Sequence, residues 1–336
     1  MSDLDIVFSE DPRDFLRRDW NDLVLLDPAG TIFHTPDFLK LYWEEFGEEP
    51  EHLLLAFGED DGGAQVAAAA LELVGDTLRF LGGTEVTDYL GPVGQPGIAP
   101  SFCERLWVSL LERDDWRVAD LRGLPEDSGW LPALLRAAAE EGLSVEETED
   151  QNGVAPVLDL PPTWDGYLMQ LPSKLRHEIR RKAKKLEAEA GPFRIETATD
   201  ETLLPLLDRF VELHRMSEGP KGVFMVPGME IFFRRLGEAL CERGVFRLSF
   251  IRVRDELAAG TIGFVYEGTY SLYNSAFDRE WQQLAPGMVL VAEDVRQAIE
   301  DGCAVFDFLK GDYSYKYRFG ARKRSVRRLV VSREGG

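Results

Sequence analysis

FRLSFIRVRDELAAGTIGFVYEGTYSLYNSAFD, residues 246–278, consists of three short apolar runs divided by Asp255-Glu256 and by Gly268. Runs rich in Phe, Ile, Val, Thr and Tyr with turn residues between them predict an antiparallel meander. The chain then changes character. A loop, REWQQLAPG (279–287), leads into the helical pattern MVLVAEDVRQAIEDG (288–302) and a fourth strand, AVFDFLKGD (304–312). A strand reached through a helix comes back parallel to the one before it, so the segment predicts a mixed sheet flanked by helices.

The same order occurs earlier. HLLLAF (52–57), QVAAAALELV (65–74) and TLRFLGG (77–83) are separated by GEDDGG and Gly75-Asp76. The loop GPVGQPGIAPS, the helical FCERLWVSLLERD and the strand WRVADLRGL follow. Even the last strands end alike, Asp120-Leu121-Arg122-Gly123 beside Phe308-Leu309-Lys310-Gly311. Similarity at so long a period implies duplication of a domain, and 336 residues suit two. The expected fold is α/β with mixed, mostly antiparallel sheets in two tandem domains, 1–155 and 156–336, the final strand being free to pack back on the first. The boundary lies in VAPVLDLPPTW, where prolines interrupt the pattern.

Composition bounds the function. A net charge of −22 disfavours nucleic acid and anionic membranes as general partners. The acidic start lacks the order of an export signal, and no apolar run reaches the ~18 residues of a membrane helix. The simplest expectation is a cytoplasmic protein without membrane insertion, monomeric or homodimeric. Three scattered cysteines and four histidines suggest neither a disulfide framework nor a zinc site, so no metal is expected. Positive charge is concentrated in two segments, Lys174–Lys185 and Lys316–Arg328, with seven basic side chains each. These are either solvated faces or a pocket for a phosphorylated ligand. The first falls in a predicted long helix whose apolar stripe runs Trp164, Leu168, Leu171, Leu175, Ile179, Leu186, Ala190 and which stops at Gly191. Arg176, Arg180 and Lys184 share another face of it.

A loop that enters a helix beside a parallel strand presents backbone N–H groups to an anion. In the second half that loop is QQLAPGMVL (282–290), where Pro286 suits the first helical turn and Gly287 lets a ligand approach the backbone. An ordinary helix entry would look the same. The first-half loop is longer and proline-rich, which puts the expected working site in the second half.

Taken together, this order of elements resembles the GNAT acyltransferase fold. More narrowly, WDGYLMQLPSKLRHEIRRKAKKLEAEAG, LHRMSEGPKGVF, FDREWQQLAPGMVL and FDFLKGDYSYKYRFG are similar to the CelD-type acyltransferases named for cellulose biosynthesis, relatives of the Fem aminoacyl transferases. In the first half FHTPDFLKLYWEEFG, FLGGTEVTDYLGP and DLRGLPEDS carry the likeness. One departure stands out: the usual phosphate loop, Q/R-x-x-G-x-G/A, is here Gln282-x-x-Ala285-x-Gly287.

The resemblance implies direct transfer of an acyl group from acyl-CoA or acetyl-CoA to an amine or hydroxyl of a small-molecule acceptor: a sugar, an amino acid or an envelope precursor. Gln282, Gln283, Leu284, Ala285, Pro286, Gly287 and Met288 would hold the donor's diphosphate. Tyr273 and Asn274 lie on the strand expected to splay and offer main-chain donors to the thioester carbonyl, their side chains alternating between core and cleft. After the last strand, Asp312 is a candidate to orient or deprotonate the acceptor and Tyr315 to protonate the leaving sulfur, with Lys310 and Lys316 on an anionic part of a substrate. A closing turn and tyrosine packing are the plainer alternatives. His214 precedes the segment SEGPKGVF, a flexible loop by composition, and either caps or packs against its helix or faces the acceptor, and Arg215 beside it is a further substrate candidate. Asp88 and Tyr89 either contact substrate or stabilise a turn, and Arg176 and Arg180 are further substrate candidates. Two competing functions remain: transfer of an aminoacyl group from tRNA, for which the basic helix is suited, and noncatalytic ligand binding.

Overall fold

A computed structural model describes residues 4–47, 52–217 and 220–333. The chain divides into two compact units, Met1–Val154 with Arg324–Gly336, and Ala155–Lys323. The tail from Arg324, placed by sequence in the second domain but free to pack back on the first, counts with the first.

Unit 1 opens with β1 (Asp5–Ser9), α1 (Asp14–Arg17), α2 (Asn21–Leu26) and α3 (Pro36–Phe46). The expected meander follows as β2 (Leu53–Glu59), β3 (Gln65–Val74) and β4 (Thr77–Phe80). Next come β5 (Val93–Gly94), α4 (Ala99–Leu111), β6 (Val118–Pro125), α5 (Trp130–Glu140) and β7 (Ser144–Val154). In unit 2 the order is β8 (Val157–Asp159), α6 (Trp164–Gln170), α7 (Ser173–Ala190), β9 (Phe193–Thr197), α8 (Leu203–Arg215), α9 (Pro220–Phe224) and α10 (Pro227–Leu240). The second meander is β10 (Phe246–Val253), β11 (Glu256–Tyr266) and β12 (Thr269–Phe277), followed by α11 (Pro286–Glu300) and β13 (Val305–Asp307). The chain closes with β14 (Ser325–Ser332) in the sheet of unit 1.

The sheet of unit 1 runs β1-β2-β3-β4-β6-β14-β7, with β5 also on β3; that of unit 2 runs β8-β13-β12-β11-β10-β9. In each, one pair is parallel, β4 with β6 and β12 with β13. Helix α4 buries Phe102, Cys103, Leu106, Trp107 and Leu110, a three-and-four spacing that points one stripe into the core shared with the sheet and with α5. Helix α11 does the same with Val289, Leu290, Val291, Ala292, Val295, Ala298 and Ile299.

Two elements differ from the sequence expectation. The long helix breaks into α6 and α7, because Pro172 lacks an N–H and drives Leu171 into an extended conformation (ψ 141°). Its Gly191 stop is present, at φ 93°. The strand expected over 304–312 ends at Asp307, whose Oδ1 accepts the Leu309 amide at 2.8 Å while Leu309 turns left-handed at φ 56°. SEGPKGVF contains helix α9; Glu218 and Gly219 lie outside the described residues.

Candidate active site

The site grows from an irregularity in β12. Opposite β11, Ile262 pairs with Asn274 but Gly263 with Leu272, so Tyr273 is an extra residue, a β-bulge. The bulge cancels the expected alternation. The Tyr273 ring meets Phe233 of α10 and Phe264 (5.4 and 5.5 Å between centroids), while the next residue, Asn274, reaches His214 of α8. Alternation would have sent two consecutive side chains to opposite faces.

His214 is fully buried, with Nε2 3.1 Å from Asn274 Oδ1 and its ring between Phe210 and Phe224. The same Asn oxygen accepts the Ser275 amide at 2.8 Å. Arg215 is tied to the start of α10, donating to Met225 O (3.2 Å) and to Glu230 Oε2 (2.7 Å).

Beside the bulge the sheet opens. Strands β12 and β13 pair only over Thr269–Ser271 with Val305–Asp307, and β12 continues to Phe277 without its parallel neighbour. The chain then makes a 3₁₀ turn, Arg279–Leu284, whose Glu280 amide is capped by Asp278 Oδ1. Ala285 follows in the left-handed region at φ 51°, ψ 51°, and α11 begins at Pro286. Pro286 has no N–H to offer. Met288 and Val289 turn back to Ala285 O (3.1 and 3.4 Å), which leaves the Gly287 amide without an acceptor among the described residues. A Cβ built on Gly287 meets nothing within 4 Å. Helix dipole, unspent amide and free space therefore coincide at one point. From α7, Lys185 Nζ donates to Gln283 O at 3.0 Å and brings the basic helix against this loop. Sequence reasoning placed Lys185 only in a charge cluster; its partner is a main-chain carbonyl, which leaves no trace in sequence.

The segment after β13 forms a second group. Asp312 is exposed and its Oδ1 accepts the Tyr317 hydroxyl at 2.6 Å. Tyr315 is half-buried against the core, its ring stacked at 6.3 Å on exposed Tyr313, and burial pushes its phenol up to about 12. Neither Asp312 nor Tyr315 is hydrogen-bonded to His214 or Asn274. Lys316 departs from expectation. It is buried, with Nζ on Leu309 O and Lys310 O (2.8 and 2.9 Å), so it braces the loop from within instead of presenting a cation to a substrate. Lys310 is half-buried beside it.

The other candidates lie elsewhere. Arg176 and Arg180 line a shallow cavity of about 410 Å³ on α6 and α7, with Asp165 and His177. In unit 1, Tyr89 is buried against Phe33, and Arg324 lies over its ring and donates to its hydroxyl; Asp88 is half-buried.

Residues 173–317 match the family model described as an acetyltransferase (GNAT) domain, and these residues contain the bulge, the parted strands and the Gly287 loop. The fold is of the GNAT type. FemX is similar at 12% identity over 92% of this chain and 94% of its own, with a TM-score of 0.67. L-PGS from Bacillus licheniformis is similar at 13% identity (90% and 93% covered, TM-score 0.56). A tandem GNAT protein from the clavulanic acid biosynthesis pathway, at 14% identity (99% and 100% covered, TM-score 0.52), shares the doubling of the GNAT unit. No curated protein sequence matches the chain. Among the described residues no group of His, Cys, Asp and Glu could hold a metal ion, and no helix is long and apolar enough to cross a membrane.

Proposed function

We propose that the chain is an acyl-CoA-dependent N- or O-acyltransferase, of the CelD type within the GNAT fold, acting in the cytoplasm on a sugar, amino acid or envelope precursor. One observation carries this reading: the open Gly287 amide at the start of α11 stands beside a strand pair that parts after three residues. The cradle fits a diphosphate. Residues Gln282–Met288 would hold it, and the bound donor would supply a thioester carbon open to attack.

The remaining roles belong to the chain's own side chains and backbone. At the Tyr273 bulge a residue leaves the β12–β11 ladder, and its main chain can receive charge developing on the thioester oxygen. His214 and Asn274 fix each other and hold the bulge in shape. Asp312, exposed, would orient the acceptor or take its proton. Tyr315, a phenol that carries its proton at neutral pH, would give it to the departing sulfur, although burial makes it a weaker acid than a free tyrosine.

Mass spectrometry of small molecules that copurify with the chain tests the reading, a CoA thioester being the expected result. Asp312→Asn should fold normally and lower turnover; unchanged turnover removes Asp312 from the mechanism. A second reading, transfer from aminoacyl-tRNA, is favoured by the exposed basic residues of α7, Lys174, Arg180, Arg181 and Lys184. It requires tRNA binding that weakens steeply with salt and ignores CoA.

A further inference from the structure

Unit 1 has its own parallel pair that parts. β4 and β6 are joined only at Thr77 with Val118 and Leu78 with Ala119. Arg79 and Asp120 come next along the two strands, and Arg79 lies opposite Glu72 on β3. At this parting is a cavity of about 410 Å³, lined among others by Tyr42 of α3, by Glu72, Arg79, Asp120 and Arg122 of the sheet, and by Glu85 of the connection after β4.

The polar groups on its wall are not equivalent. Asp120 is committed: Arg122 forks onto it at 2.8–3.1 Å and Arg328 at 2.6 and 3.0 Å. Arg79 is exposed and makes no hydrogen bond or ion pair among the described residues. A planar guanidinium with idle donors is matched by a carboxylate, which it can bind with two parallel hydrogen bonds. The carboxylates of Glu72 and Glu85 share the cavity with it and suit an ammonium, and Tyr42 and Phe46 supply an apolar wall.

We propose that this cavity is a binding site for a free amino acid, its carboxylate on Arg79 and its ammonium on the Glu72–Glu85 side. The site lies wholly in unit 1 and does not depend on the transferase reading of unit 2. The volume exceeds that of an amino acid, leaving room for a side chain against Tyr42 and Phe46.

Calorimetry and thermal shift on the full chain would use the common amino acids, their des-amino carboxylates and neutral hexoses as probes. At least one amino acid should bind saturably, and its des-amino analogue about tenfold or more weaker, having lost a charged hydrogen bond. Arg79→Gln should weaken that amino acid by about tenfold or more with the melting temperature unchanged, and Arg79→Lys should recover part of the loss because it keeps the charge but not the fork. The site is overturned if no amino acid binds at roughly 10 mM, if hexoses or des-amino carboxylates bind as well, or if both Arg79 variants bind as the parent does. Copurified CoA or acyl transfer in the same preparation reports on unit 2 alone, so the two proposals fail separately.

Discussion

The two units share an order of elements and differ in how the chain passes from the third meander strand into the helix. In unit 2 the passage is short, ends in left-handed Ala285, and leaves the Gly287 amide unspent. In unit 1 the passage covers residues 81–98 and folds back on its own sheet. Val93 and Gly94 pair with β3, and three amides before α4 are bonded, Gly94 to Asp27 Oδ2 (2.9 Å), Gln95 to Val66 O (2.9 Å) and Ile98 to Gln95 O (3.1 Å). β12 carries a bulge whereas β4 pairs with β3 in unbroken register. The duplicated topology therefore reaches its two helix starts by different paths, one doubled back onto β3 and one short and left-handed at Ala285, and the open approach to Gly287 belongs to the second.

The largest expected effect tests that difference directly. Gly287→Glu adds a carboxylate where a Cβ meets open space, so folding is preserved while like charge faces the diphosphate. Acyl-CoA affinity should fall by at least about 100-fold, or about 2.7 kcal/mol. Pro100→Glu, at the exposed start of α4, should change it little. Equal losses in titration calorimetry of both variants would erase the distinction between the units.

Much of this fold could be read from residues 246–312, because strands, turns and helix each impose a period on the sequence. The helix break at Pro172 was equally open to reading, since proline excludes the helical amide whatever the stripe around it. The bulge was not. Register shifts arise from pairing with a second strand, and nothing in TYSLYNSAF singles out Tyr273 as the supernumerary residue. Lys316 was misplaced for a related reason: a lysine among tyrosines looks the same in sequence whether its ammonium faces solvent or the Leu309 and Lys310 carbonyls. Asp294 did leave a signal, for it lies on the apolar row Leu290, Asp294, Ala298 of α11, where a charge is out of place.

Asp294 supplies the next effect. Its Oδ2, Thr261 Oγ1 and the Tyr270 hydroxyl are all buried, and none has a hydrogen-bond partner in good geometry among the described residues. Burial raises the Asp294 carboxyl from 3.8 to about 7, with Thr261, Arg247 and Tyr270 opposing and Glu293 reinforcing the shift. The folded state thus holds a proton that the unfolded chain releases at lower pH. Stability from this group is complete below pH 4, falls as pH rises from about 4 to about 7, and is gone above that range. Asp294→Asn should flatten this slope in denaturation curves at pH 5, 6, 7 and 8 and be the more stable protein at the alkaline end. A parallel slope in both proteins would place the titration elsewhere.

Asn274→Ala sharpens the contrast between bulged β12 and regular β4. The substitution leaves buried His214 Nε2 without its Asn partner and should cost about 1–3 kcal/mol by urea denaturation. If the pair holds the bulge, turnover falls further than stability explains, with little change in donor affinity, because the Gly287 loop is untouched.

Ala285→Gly has the smallest effect and addresses the one departure from the usual phosphate loop. Alanine in the left-handed region carries a strain of about 1–2 kcal/mol, and glycine carries none. Against that, glycine gives the unfolded chain more freedom, worth about 0.4–1 kcal/mol. The net should be a gain of about 0–1.6 kcal/mol, seen as a small upward shift of the denaturation midpoint with an unchanged slope. Acyl-CoA affinity should stay within about twofold, because the donor site depends on the backbone path that Ala285 already takes. A large rise in affinity would instead mean that the alanine methyl intrudes on the diphosphate, and the fit of unit 2 to its donor would then be a compromise.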